Sequence, residues 1–110
     1  MASRFRIEWT EAASSDLEDI IRFIARDSPL NAAKLYKRLR TRAQTLRNLP
    51  ARGRVVPELA NLEITAYLEL SVPPYRLIYR IEKPRVFVHA VLDARRDLRE
   101  LLAERLLRSR

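Results

Sequence analysis

The segment RVFVHAVL, residues 85–92, is apolar at nearly every position. Successive side chains of a β-strand point to opposite faces, so a strand apolar on both needs cover on both. This segment therefore lies centrally in a sheet or is covered from both sides. It ends abruptly in DARR, which sends Asp93, Arg95 and Arg96 out of the strand end together.

Its partners precede it. YRLIYRIE, residues 75–82, sets Tyr75, Leu77, Tyr79 and Ile81 on one face and Arg76, Ile78 and Arg80 on the other. The Lys83-Pro84 step makes a tight turn, and proline denies a continuing ladder its hydrogen bond. Pairing through that turn puts residues near 75 and 76 across from residues near 92 and 93, with Arg76 close to the Asp93–Arg96 corner. An earlier strand is expected at about 66–72, closed by VPP. Residues 97–107 carry Leu98, Leu101, Leu102 and Leu106 at helical spacing, which predicts a final amphipathic helix.

The first half reads differently. FRIEW, residues 5–9, alternates as a strand. Thr10 suits a helix N-cap, and Ala13, Leu17, Ile20, Ile21 and Ile24 recur at helical spacing, predicting a helix over about 11–26. Ser28 caps a second helix with Pro29 in its first position. Ala32, Leu35, Tyr36, Leu39, Ala43 and Leu46 form its apolar stripe. LPARGRVVPEL then breaks the pattern with two prolines and the only glycine. The order β-α-α-β-β-β-α predicts an α+β domain, a helical hairpin packed on a mostly antiparallel sheet.

A chain of 110 residues with 47% hydrophobic content suffices for one domain, taken to span 1–110. The opening residues form neither a signal peptide nor a membrane anchor, and cysteine is absent, so the cytoplasm is the default compartment and no membrane partner is expected. The net charge of +8 is concentrated. Between Ser28 and Pro57 stand eight basic residues and no acidic one. Such a field attracts nucleic acid or an acidic protein, or simply solvates a helix face, and direct nucleic-acid binding stays open. Tyr36 alone among aromatics interleaves those bases, and it faces the apolar stripe, which serves base stacking poorly.

Little catalytic chemistry is on offer. One histidine and no cysteine give no metal site, and one glycine gives no phosphate loop, so neither metal nor cofactor is expected. His89 sits mid-strand on the face of Phe87 and Val91 and reads as a structural histidine. That leaves the arginines. Arg76 and Arg80 share a strand face, and Arg95 and Arg96 leave the adjacent strand end. Guanidinium groups grip phosphate or carboxylate by paired hydrogen bonds, so they form either an anion site or a set of arginines paired by Asp93, Asp97 and Glu69.

Three stretches, GRVVPEL, PPYRLIYRIE and VFVHAVLDARRDL, resemble the RelE/ParE toxin superfamily of bacterial toxin–antitoxin systems. The opening EWTEAASSDLEDIIRFIARDSPLNAAKLYKRL resembles its ParE branch, whose members are associated with plasmid stabilization. The resemblance implies a toxin neutralised by a small ParD-like antitoxin, usually encoded beside it. ParE-like members are known for inhibiting DNA gyrase, and RelE-like members are ribosome-dependent endoribonucleases. Arg76 and Arg95 or Arg96 match the charge-stabilising arginines of the nucleases. Their lysines before the YR strand are replaced here by AYLELS, and the position of their late tyrosine holds Leu101 and Leu102. Without a base these arginines make a clamp. The chain also departs from the ParE pattern, with Leu68-Glu69 for an Arg-Glu pair and Asp93 for a histidine. Gyrase inhibition by a non-enzymatic protein is the expectation, with Arg76, Arg80, Arg95, Arg96, Leu101, Leu102 and Leu106 as the candidate contacts for target or antitoxin. At least part of this leucine stripe is expected to be ordinary core, packed on the sheet.

Overall fold

The computed structural model describes residues 4–95 together with Arg99 and Arg105. Strand β1 (Arg6–Trp9) leads into helix α1 (Glu11–Ala25), which is followed by helix α2 (Pro29–Gln44). Both helices start on the expected caps. Thr10 Oγ1 accepts from the Ala13 N–H at 3.1 Å, and Ser28 Oγ accepts from Asn31 at 3.1 Å, with Pro29 opening the helix. Each cap satisfies a backbone donor that the first helical turn leaves without a partner.

Two single 3₁₀ turns, Thr45–Arg47 and Pro50–Arg52, carry the chain to a short strand β2 (Arg54–Val55) and a one-turn helix α3 (Pro57–Ala60). Strands β3 (Tyr67–Val72), β4 (Tyr75–Glu82) and β5 (Arg85–Asp93) complete a sheet ordered β1-β5-β4-β3-β2. Every pairing is antiparallel except β1 with β5, which is parallel. This is the α+β arrangement of a helical hairpin on a mostly antiparallel sheet. The expected final helix over 97–107 lies outside the described residues apart from Arg99 and Arg105, both helical.

β5 is buried on both faces because it has neighbours on both sides and a layer above and below. On one face Leu17, Leu35 and Leu39 of the helices meet Val72 and Val91, while Ala13, Ala43 and Leu46 pack on Leu70, Leu77, Tyr79, Val86 and Val88. On the other face Val56 and Leu59, flanking and within α3, cover Tyr67, Ile78, Ala90 and Leu92. The break in the sequence pattern at LPARGRVVPEL is thus a second, smaller lid.

One register feature corrects the face expected for His89. Ile78 pairs with Ala90 and Tyr79 with Val88, so His89 is the extra residue of a bulge. An extra residue reverses the alternation beyond it. Val88 and Val91 therefore both face the helices, and His89 turns from Val91 toward Tyr67 and Phe87, with ring centroids 5.4 and 6.4 Å away.

Candidate functional site

The arginines lie where β4 and β5 end. Tyr75 pairs with Asp93 and Arg76 with Leu92, the register anticipated from the tight turn. Paired residues share a face and adjacent residues do not. Asp93 therefore goes with Tyr75 to the helix side, whereas Arg76 goes with Leu92 to the side of α3. The two arginines line separate clefts: Arg76 with Arg54, Glu58, Glu69 and Ala94, and Arg95 with Asp93, Tyr75, Asp16 and Phe23. A shared Arg76–Arg95 corner is not formed, and Arg96 lies outside the described residues, as do Leu101, Leu102 and Leu106.

Arg76 is buried, at 8% exposure, and its guanidinium is filled. Nη1 and Nη2 donate to the two oxygens of Glu58 at 2.7 Å each, a bidentate fork. Nε donates to Glu69 Oε1 at 2.7 Å, and Nη2 makes a further contact to that oxygen. The other oxygen of Glu69 accepts from Arg54 Nε at 2.7 Å. Two arginines and two glutamates thus alternate, neutral as a set, across β2, α3, β3 and β4. The Arg76 guanidinium holds the Glu58 carboxyl below the usual glutamate range, and the hydrogen bonds Arg76 donates to Glu58 lead in pushing the already high Arg76 value further up.

Arg95 is exposed and chelated by its own neighbour, donating from Nε and Nη2 to the Asp93 oxygens at 3.0 and 2.7 Å. Arg80 is half-exposed, with its guanidinium 5.5 Å over the Tyr67 ring and 3.8 Å from Glu82. It borders a cavity of about 440 Å³ lined by Thr10, Tyr67, Phe87 and His89. Burial pushes the His89 imidazole down from its ordinary value.

Two participants escaped the sequence reading. Glu58 carries no periodic signal, because only the β2–β3 register brings α3 over β4. Asp16 lies on the helical hairpin, yet its Oδ2 accepts from the Val91 N–H at 3.0 Å and from Arg105 at 2.9 Å. Beyond Trp9, β1 no longer covers the edge of β5, and this carboxylate supplies the missing acceptor. Burial raises its pKa. Among the described residues no three His, Asp or Glu side chains gather as a metal ion would require, and no helix is long and apolar enough to cross a membrane.

A helical hairpin on a five-stranded, mostly antiparallel sheet, with Arg76 held by two glutamates on one side and Arg95 exposed on the other, is the α+β fold shared with toxins of toxin–antitoxin systems. The chain belongs to the family described as ParE toxin of type II toxin–antitoxin system, parDE, whose model matches residues 7–98. It is 36% identical to the candidate toxin Y4kP of Sinorhizobium fredii over 74% of this chain and 80% of that one. It is 33% identical to Toxin RelE2 of Caulobacter vibrioides over 83% of this chain and 97% of that one. Among solved structures it resembles a chain of the chromosomal ParDE system of P. aeruginosa, with a TM-score of 0.66 and 17% identity, covering 82% of this chain and 96% of that one. A chain of the RelBE2 toxin–antitoxin complex of Mycobacterium tuberculosis gives 0.57 and 20%, covering 86% and 97%.

Proposed function

We propose that the chain is a single toxin domain over residues 1–110, held inactive by a ParD-like antitoxin, and that it acts in the cytoplasm by gripping DNA gyrase rather than by cutting RNA. One observation carries this reading: the Arg76 guanidinium is already saturated by Glu58 and Glu69. Cleavage through a ribose hydroxyl needs a cation free to meet the developing phosphorane and a base to take the proton. A phosphate reaching Arg76 would first have to displace a bidentate carboxylate. Glu58, the carboxylate held in the bidentate fork, is made a weaker base by that same arginine. Arg80, Arg95 and Arg96, together with Leu101, Leu102 and Leu106, are left as contacts for the target or the antitoxin. The RelE-like neighbours keep ribosome-dependent mRNA cleavage as the alternative.

Purified protein assayed in parallel for gyrase supercoiling and for mRNA cleavage on translating ribosomes separates the two. Inhibition of supercoiling, reversed by the antitoxin, with intact mRNA, is the expected result. Cleavage that disappears with the exposed Arg95→Ala replacement would reverse the assignment. Arg95 is the better probe, because replacing Arg76 disturbs the fold.

A further inference from the structure

The basic segment of α2 and the turns after it is distinguished by the number of cations it gathers with no acidic residue among them. None of the ion pairs among the described residues involves Lys34, Lys37, Arg38, Arg47 or Arg52, all of them exposed. Elsewhere the cations are dispersed, some paired as Arg22 is with Glu18, Arg85 with Glu8 and Arg95 with Asp93, and others, such as Arg26 and Lys83, standing singly outside these pairs. With Ala32, Leu35, Leu39 and Ala43 buried, helical geometry puts Lys34 and Lys37 on the outward ridge with Arg38 beside them. Arg38 is steadied by a 2.7 Å hydrogen bond from Nη2 to the Pro73 carbonyl. Fixed like charges held together without counter-charges raise the free energy of the unbound protein, and a polyanion relieves it.

We propose that this ridge binds the phosphate backbone of duplex DNA, without reading its sequence. Three observations select a duplex. The ridge itself is cationic, and the apolar cleft nearby runs between α1 and α2, lined by Leu17, Ile21, Tyr36 and Arg40 and not by Lys34, Lys37 or Arg38, so a disordered acidic peptide on the ridge would gain too little to offset the cost of ordering it. A duplex arrives ordered, with regularly spaced charge and counterions to release. Single strands are bound largely by stacking on aromatic rings. The one aromatic residue of α2, Tyr36, is already faced by the Arg40 guanidinium 5.9 Å from its centroid, and that guanidinium also stacks on Trp9 at 5.1 Å. The choice of DNA over other duplexes rests on the gyrase reading above: a protein gripping an enzyme loaded with DNA would meet that backbone at close range.

The test is fluorescence anisotropy of the purified chain with labelled 25-base-pair DNA of two unrelated sequences, titrated at several salt concentrations. Each phosphate contact adds about 0.9 to the slope of log affinity against log salt, so three contacts weaken binding about 40-fold between 50 and 200 mM. Both sequences should bind equally. The Lys34→Ala/Lys37→Ala/Arg38→Ala variant should lose about 2 to 3 from that slope. A charge-matched control, Arg22→Ala/Arg26→Ala/Lys83→Ala, should keep it. Equal loss in both variants would reduce the effect to net charge and overturn the proposal. So would preference for single strands, for an RNA duplex, or for polyglutamate over DNA. The assay contains no gyrase. Failed gyrase inhibition with retained duplex binding removes only the target, and inhibition without duplex binding removes only this surface.

Discussion

Arg76 makes more side-chain hydrogen bonds than a strand arginine needs for solubility, and each goes to a carboxylate. Burying that charge is tolerable only because both glutamates arrive with it. Removing it alone leaves Glu69, whose side chain is 3% exposed, with only the outer arginine for company. Breaking a buried pair from one side costs about 3–5 kcal/mol. Arg76→Ala should therefore lower the urea midpoint by that equivalent. Arg54→Ala deletes the other partner of Glu69, but from a side chain 72% exposed, and should cost under about 1 kcal/mol. Equal losses would mean the cluster is held by packing and not by charge. The arginines were visible in the sequence from strand alternation, and Glu69 was visible as one available partner. Glu58 was not, since its place depends on how an irregular loop folds over a strand 18 positions away.

The regular elements were legible: two capped helices, four of the five strands and the turn register. The segment between α2 and β3 was not, because its order comes from tertiary hydrogen bonds that leave no repeat. Tyr79, fully buried, threads its hydroxyl into that segment, accepting from the Gly53 N–H at 3.0 Å and donating to the Pro50 carbonyl at 2.7 Å. Gly53 is needed there for space and not for its backbone angles, which at φ −77° suit any residue. A Cβ would fall 2.5 Å from the Glu69 carbonyl oxygen and 2.6 Å from the Tyr79 hydroxyl. Gly53→Ala should thus push β2 off β3 and destabilise by roughly 1–3 kcal/mol. Hydrogen exchange should show earlier opening of residues 50–56 than of β4. Uniform opening would argue against local displacement. The bulge at His89 was equally hidden, since a strand apolar on both faces gives no cue when its alternation slips.

At the scale of the molecule, two carboxylates give stability an opposed pH dependence. Glu58 has a lowered folded pKa, so its contribution is complete above the ordinary value of 4.5 and is lost as pH falls through the lower folded value. Asp16 has a raised one, so the folded state binds its proton more tightly. Its contribution is therefore greatest in acid and declines as pH rises from 3.8 through the folded value. Urea midpoints measured from pH 2 to 7 should show Glu58→Gln flattening the acid side. Asp16→Asn should remove the decline that sets in as pH rises from 3.8. If Asp16→Asn instead steepened that decline, the carboxylate would be better solvated than its position beneath β5 implies.

The parallel pairing of β1 with β5 sets Arg6 beside Arg85, so the first strand of the sheet meets the opening residue of β5, 79 positions later. At about 5–20 residues per second, several seconds of translation separate the two. The first strand has no partner until β5 has been made, and the helical hairpin lacks the part of its platform that Val86, Val88 and Val91 supply. A nascent copy therefore acquires its finished shape late, only once residues 85–93 have joined the sheet.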